Sequence, residues 1–166
     1  MAKIFLVMIF IVTISACERQ SCKNVACPIG QNCNSGRCFC QDGYEGTNCD
    51  VNAFEKYVAN NRSWNVSESC YGGSPNFGSY TSFFIHSSSV PSELQIANML
   101  GGNCSVTANI RTDQSNQGNI VEILTQSCGG ITVSGQGIYS VTNHTIKFDL
   151  NYTLNGTSYQ CSHTYY

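Results

Sequence analysis

Charged side chains are scarce in this chain of 166 residues, because Asp, Glu, Lys and Arg together make up only 11% of it. The average soluble domain has about 25%. The eight Lys and Arg residues never form a run, so the basic clusters typical of nucleic-acid-binding proteins are missing and we expect no nucleic-acid partner. Asn, Ser, Thr and Gly are abundant instead, which indicates a surface solvated by hydrogen bonding rather than by charge.

Motifs for catalysis and metal binding are also missing from the sequence. The three histidines, His86, His144 and His163, have neither the H-x-H nor the H-E-x-x-H spacing of metal ligands. There is no G-x-S-x-G elbow, P-loop or dinucleotide fingerprint, and the ten acidic residues are scattered. We therefore predict no catalytic residue, no metal and no cofactor, and we do not expect an enzyme.

Cysteine, by contrast, is abundant. Eleven cysteines indicate an oxidising compartment, because cytosolic thiols are kept reduced. The N-terminus agrees with export, since Lys3 is followed by an apolar run from Ile4 to Ile14. As a helix this run would reach about 16 Å, roughly half of the ~30 Å hydrocarbon core of a bilayer. It is too short to span a membrane and suits a signal peptide over residues 1–16.

The residues Ile14-Ser15-Ala16-Cys17 resemble the lipobox of bacterial lipoproteins. In that family the signal peptide is cut before the cysteine, whose thiol receives a diacylglyceryl group. The resemblance implies a lipid on Cys17, a tether over residues 17–21 and an envelope location, namely the outer membrane of a Gram-negative bacterium. Cysteine parity agrees, because removing Cys17 leaves ten cysteines that can all pair. The alternative is an ordinary secretory signal that leaves Cys17 as a plain thiol.

Six cysteines follow the spacing C-x4-C-x5-C-x4-C-x-C-x8-C, at Cys22, Cys27, Cys33, Cys38, Cys40 and Cys49. Few apolar side chains lie between them, so burial cannot offset the cost of ordering the backbone, about 1–2 kcal/mol per residue. Disulfides are favoured over zinc as cross-links, because the segment has neither a C-x-x-C pair nor a histidine. Spacing alone leaves the pairing open.

The last ten residues of this segment, C-Q-D-G-Y-E-G-T-N-C from Cys40 to Cys49, fit the terminal motif of EGF-like domains. Residues 22–50 therefore resemble an EGF-like module. In it Gly43 and Gly46 permit tight turns and Tyr44 supplies one large side chain for packing. The resemblance implies the bridges Cys22–Cys33, Cys27–Cys38 and Cys40–Cys49. No calcium site is expected, because the stretch before the first cysteine has little negative charge.

Residues 51–62 are interpreted as a linker with a short helix. Asn52 and Glu55 form a capping-box pattern, and Phe54, Tyr57 and Val58 fall on one helical face. We expect a two-turn helix over residues 52–59 that joins the modules and leans on the next domain.

Residues 63–166 change to a period of two, most clearly where Ile146, Phe148, Leu150, Tyr152 and Leu154 alternate with polar residues. Asn155-Gly156 then predicts a hairpin. Weaker alternation elsewhere brings the total to about eight strands, which predicts an antiparallel β-barrel or β-sandwich. A lipocalin-like barrel is one such arrangement. Cys104 and Cys128 flank an apparent strand pair, so we expect them to bridge, which leaves Cys70 with Cys161.

The chain is thus expected to be mostly β, a small disulfide-rich module followed by a β domain. The whole looks like the small EGF-plus-β lipoproteins of Gram-negative bacteria. We expect a membrane-anchored, non-catalytic protein that presents a binding or adhesion domain to an unknown protein or glycan ligand. The alternative is a lipocalin-like carrier of a small apolar ligand, which would need a cavity of several hundred Å³.

Overall fold

The computed structural model describes residues 22–58, 63–71, 77–102, 104–113 and 119–166 of the chain. The signal peptide, the lipid on Cys17 and the tether that the sequence predicts all fall outside the described residues. The elements begin with a 3-10 turn at Cys22–Asn24. None of the helices within the described ranges is long and apolar enough to span a bilayer.

The N-terminal module consists of two small antiparallel ladders. Strands β1 (Gln31–Asn34) and β2 (Arg37–Cys40) form one, and β3 (Tyr44–Glu45) and β4 (Val51–Asn52) form the other. Three disulfides hold these ladders together, and they are the pairs implied by the EGF-like resemblance: Cys22–Cys33, Cys27–Cys38 and Cys40–Cys49.

Helix α1 (Ala53–Tyr57) follows directly and is shorter than the two turns expected over residues 52–59. Its N-cap is Asn52, whose side chain accepts a hydrogen bond from the backbone N–H of Glu55 at 3.0 Å. Four apolar side chains around this helix are buried in the same core as the barrel: Ala53, Phe54, Tyr57 and Val58. The helix therefore forms part of the core of the β domain and is more than a linker.

Eight strands close into an antiparallel barrel, in which every strand pairs with the next in sequence and the last pairs with the first. The barrel prediction is confirmed and the sandwich alternative is wrong. Closure pairs each strand with a neighbour on both sides over at least part of its length, which limits the strand edge open to other chains. The strands are β5 (Ser63–Tyr71), β6 (Tyr80–His86), β7 (Glu93–Met99), β8 (Cys104–Arg111), β9 (Ile120–Cys128), β10 (Ile131–Ser140), β11 (Thr145–Leu154) and β12 (Thr157–Tyr165).

The hairpin of β11 and β12 follows the sequence pattern closely. Leu154 pairs with Thr157 across the turn, and both turn residues, Asn155 and Gly156, have positive φ angles of 50° and 79°. Burial along β11 alternates between inward apolar and outward polar residues. A two-residue turn of this kind matches the right-handed twist of the flanking strands.

Two further disulfides, Cys70–Cys161 and Cys104–Cys128, lie in the barrel and have the expected pairing. Cys70 stands directly opposite Cys161 where β5 meets β12. This bridge therefore cross-links the two strands whose pairing closes the barrel.

Aromatic rings fill the middle of the barrel. Trp64 contacts Phe84 with ring centroids 5.7 Å apart, and Tyr165 lies 5.6 Å from Phe84 and 5.0 Å from Phe148. All four side chains are buried. Edge-to-face arrangements at these separations stabilise beyond the burial of area alone.

Candidate functional site

The module and the barrel are fastened together through the turn that contains Gly43. A Cβ atom on Gly43 would lie 2.6 Å from the carbonyl carbon of Pro91, so the backbones touch at this point. Of the three turn residues predicted from sequence, Gly43 and Tyr44 both contact the barrel, Gly43 at Pro91 and Tyr44 through its carbonyl at Thr112, whereas the neighbours of Gly46 belong to the module. No local sequence pattern indicates the contact between Gly43 and Pro91, because the two residues are far apart in the chain.

Polar contacts reinforce this interface. The backbone N–H of Thr112 donates to Asp42 Oδ1 at 3.0 Å, and its hydroxyl donates to the carbonyl of Tyr44 at 2.8 Å. Arg111, at the end of β8, reaches Asp42 at 3.1 Å and Glu122 at 2.8 Å. These contacts hold the module in one orientation against the barrel.

Glu45 ties the module to helix α1. Its carboxylate is buried, with 3% of the residue exposed, and accepts hydrogen bonds from Lys56 Nζ and from the Tyr57 hydroxyl at 2.5 Å. The bond to Glu45 raises the pKa of Lys56, and burial raises the pKa of Tyr57. A buried carboxylate needs such partners, because an unpaired charge is costly to bury.

An open groove of about 560 Å³ runs between the module and β8. Its walls carry amide, guanidinium and carboxylate groups together with one ring, from Asn32, Asn34, Arg37, Phe39, Asp42 and Arg111. Arg111 already pairs with two carboxylates. The groove is therefore a polar, mixed-charge recess with a wall from each module, a common position for ligand sites.

The barrel interior has much less free volume than this groove at the end that α1 covers. The gap between α1 and the barrel wall, lined by Tyr57, Ile110 and Tyr139 among others, has a volume of about 10 Å³. This is far below the roughly 300–1,000 Å³ of pockets for small molecules. Inward positions of the described strands hold packed side chains instead.

A cluster of buried polar groups lies beside the closing bridge. Tyr80 OH and His163 Nδ1 are 3.0 Å apart, His163 Nε2 lies 3.8 Å from Glu68 Oε2, and the Tyr152 hydroxyl lies 3.5 Å from Glu68 Oε1. The Tyr152 hydroxyl also lies 3.1 Å from Cys161 Sγ. No pattern in the sequence points to this cluster, because its members lie on β5, β6, β11 and β12 and meet only in the closed barrel.

Burial controls the protonation of the cluster. It lowers the pKa of His163 to about 4 and raises the pKa of Tyr80 to about 12. It also raises the pKa of Tyr152 and of Tyr165, both well above the ordinary phenol value. The imidazole and the phenols are consequently neutral at pH 7 and act as hydrogen-bonding groups within the core.

This cluster does not form a metal site. Donor atoms of Glu68, Cys161 and His163 lie within 4.8 Å of one another, but the sulfur of Cys161 is held in the bridge to Cys70. One carboxylate and one imidazole remain, fewer than the three or four protein ligands of zinc sites. The arrangement is best explained as a buried polar network that fixes the closing seam of the barrel.

No family model matches the sequence, and neither curated proteins nor solved structures give a match.

Proposed function

We propose that this chain is a non-catalytic bacterial lipoprotein, anchored in the outer membrane through a lipid on Cys17, that binds a protein or glycan ligand on the outside of its barrel. The observation that carries the binding role is the packed barrel interior. Large side chains occupy its inward positions, and the gap under α1 holds about 10 Å³. A ligand is therefore recognised by exposed side chains or by the groove between the modules.

Cysteine pairing supports the anchor. Five bridges join the ten cysteines from Cys22 to Cys161, so Cys17 is the one cysteine of the eleven without a bridging partner among them. An unpaired thiol is unusual in an exported protein, whereas a thioether-linked lipid uses that sulfur. Two or more acyl chains would hold the protein firmly in a bilayer.

Anchoring would keep the EGF-like module close to the membrane. Only residues 18–21 separate Cys17 from the first bridged cysteine, Cys22, and the five extended steps between these two cysteines reach at most about 18 Å. Gly43 and Asp42 contact the barrel, and Glu45 contacts α1. The module would therefore act as a rigid spacer between the membrane and the barrel.

The alternative is a lipocalin-like carrier of a small apolar ligand. It is favoured by the closed, next-neighbour barrel of eight antiparallel strands, an architecture that holds one small ligand in some proteins. The packed aromatic interior counts against it, because Trp64, Phe84 and Phe148 occupy the space that such a ligand would take.

Mass spectrometry of the mature protein extracted from bacterial membranes tests the anchor. We expect a chain that begins at Cys17 and carries the mass of a diacylglyceryl group, usually with a further acyl chain on its amine. A Cys17→Ser variant should lose the lipid and leave the membrane fraction. Native material with an unmodified Cys17 would contradict the anchor.

Native mass spectrometry separates the binding role from the carrier role. After gentle purification we expect the delipidated chain to be detected at the mass of the polypeptide alone, with no small molecule bound. A stoichiometric apolar molecule that survives purification would favour the carrier instead, and its displacement on replacing Val133 with a larger residue would place that molecule inside the barrel.

A further inference from the structure

One side of the barrel presents a row of uncharged polar side chains on its outer surface. Ser134 on β10 stands opposite Asn151 on β11, Asn151 stands opposite Gln160 on β12, and Gln160 stands opposite Tyr71 on β5. Side chains that face each other on neighbouring strands have Cβ atoms about 4.5–5.5 Å apart. Ser134, Asn151, Gln160 and Tyr71, here called the amide row, therefore form a continuous line about 14 Å long across four strands.

Two open depressions of about 450 and 410 Å³ lie along the amide row and share Gln160. The first has hydroxyl-bearing neighbours, Thr132, Thr153 and Ser158, and the second is bordered by Asp149, Ser162 and Ser69. Among the described residues of the amide row and of the rows of facing residues on either side of it, Asp149 is the one charged residue. Lys147 lies two residues before Asp149 on the same face of β11 and carries the opposite charge.

The side-chain amides of the amide row are available to bind a ligand, whereas the neighbouring hydroxyl groups already form hydrogen bonds with one another. Thr153 and Ser158 hydroxyls lie 3.2 Å apart, and Thr132 bonds to Ser127 at 3.1 Å. The side-chain amides of Asn151 and Gln160 have no protein partner within the described ranges. Each amide offers two donors and an acceptor oxygen to a ligand.

Tyr71 ends the amide row with an unusually exposed ring. It is 89% exposed, against 53% for Tyr166 and 44% for Phe83, which are other exposed aromatic residues of the chain. Most large rings bury their area, so a ring held in solvent beside unused amides suggests a stacking surface. A pyranose ring offers a face of C–H groups for such stacking and a rim of hydroxyls for amide groups.

We propose that the amide row is the binding site for an uncharged glycan, with one sugar ring stacked on Tyr71 and its hydroxyls bonded by Gln160 and Asn151. The near absence of charge selects this occupant, because an acidic or basic polymer would find no complementary field. This assignment rests on the proposed binding function and names the ligand class and the surface that it would use.

The test begins with the mature full chain, extracted in detergent, on an array of neutral oligosaccharides and of uronate-containing and sulfated ones. Neutral glycans should bind and charged ones should not. Calorimetry with the best neutral glycan then compares variants. We expect Tyr71→Ala and Gln160→Ala each to weaken binding by about three- to tenfold, as loss of one contact of about 1 kcal/mol implies.

Matched controls use the same substitutions at exposed positions away from the row. Tyr166→Ala and Gln95→Ala should leave affinity within about twofold of the wild type, and circular dichroism should show all four variants folded. Equal losses in controls and row variants, binding confined to charged glycans, or no neutral glycan bound would each overturn the proposal. So would a dimer that Tyr71→Ala dissociates, because a second copy would then occupy the row.

Failure of this proposal is distinguishable from failure of the proposed function. A chain that is lipidated at Cys17 but binds no neutral glycan overturns the amide row as a glycan site and leaves the lipoprotein assignment standing. A chain with an unmodified Cys17 that still binds through Tyr71 overturns the anchor and supports the row.

Discussion

His163 is the residue at which burial and charge conflict most directly. Its side chain is fully buried in the barrel, next to the Tyr80 hydroxyl at 3.0 Å and the Glu68 carboxylate at 3.8 Å. Burial disfavours the imidazolium and lowers the pKa of His163 to about 4. The ordinary value is about 6.5, so folded and unfolded chains bind this proton over different pH ranges.

This difference predicts a pH-dependent stability. As pH falls from about 6.5, the unfolded chain takes up a proton on His163, while the folded chain does so only near pH 4. The free energy of unfolding should therefore fall between pH 6.5 and 4, by about 3 kcal/mol in total from this group. Urea unfolding at several pH values measures the slope.

The variant His163→Gln isolates the effect of this residue. It keeps a hydrogen-bonding side chain but removes the titrating group, so the wild type should lose stability relative to the variant as pH falls through this range. An NMR titration of the His163 ring in the folded protein gives an independent check. A pKa above 6 there, or an unchanged slope in the variant, would refute the explanation.

Helix α1 is the element whose role the sequence pattern understated. Phe54 stacks on His86 with ring centroids 4.4 Å apart, and Tyr57 lies 4.7 Å from Tyr139. Through these contacts a helix of five residues covers one end of the barrel. A helix this short has little stability of its own, and it is therefore its packing against the barrel that keeps it folded.

Replacing Phe54 tests the contribution of the helix. Phe54→Ala should lower the free energy of unfolding by about 3–5 kcal/mol, because the ring is 6% exposed and its removal leaves a cavity. Phe83→Ala serves as the matched control, since that ring is 44% exposed on the outside of β6; we expect a loss of about 1 kcal/mol or less. Similar losses at both positions would mean that α1 adds little to the core.

The turn at Gly43 can be tested with another matched pair. Gly43 and Gly46 have nearly the same left-handed backbone, with φ angles of 89° and 90°, so alanine carries a similar conformational cost at both. At Gly43 the added Cβ would also meet the Pro91 backbone at 2.6 Å, whereas at Gly46 its nearest neighbour, a Val51 methyl, lies at 3.6 Å.

We therefore expect Gly43→Ala to cost about 1–3 kcal/mol more than Gly46→Ala in the free energy of unfolding. Hydrogen exchange at the Thr112 amide, which donates to Asp42, should speed up in the Gly43 variant alone. Equal exchange in the two variants would show that the modules are joined elsewhere.

The molecule as a whole is a closed β structure stapled by disulfides. The Cys70–Cys161 bridge joins strands at opposite ends of the barrel sequence, 91 residues apart, whereas Cys104–Cys128 spans 24 residues. Both strand pairing and the bridge close the same seam between β5 and β12. The longer loop is the one whose closure restricts the unfolded chain more.

Removing each bridge should show this difference. The double variant Cys70→Ala/Cys161→Ala should lose about 4–5 kcal/mol of unfolding free energy, and Cys104→Ala/Cys128→Ala about 3–4 kcal/mol, on the chain-entropy argument. Denaturant titration of both variants in the oxidised state gives the comparison. A larger loss for the shorter loop would mean that native packing around Cys104, rather than chain entropy, dominates.

Local spacing was enough to predict much of this fold. Cysteine spacing marked the N-terminal module, a period of two marked the strands, and Asn155-Gly156 marked the last hairpin, since each depends on residues close together in sequence. The choice between barrel and sandwich was beyond that reasoning, because it depends on whether β12 meets β5, strands about ninety residues apart.

The sequence by itself determined an oxidised, strand-rich chain with little charge and no recognisable catalytic motif. The pattern of residues 52–59 also predicted a helix that leans on the β domain. Only the tertiary structure decided that Gly43 touches Pro91 and that Glu68, Tyr80 and His163 share one buried cluster. The amide row was likewise invisible in sequence, because it runs across four strands. Cross-strand register is fixed by non-local pairing, which no window along the chain contains.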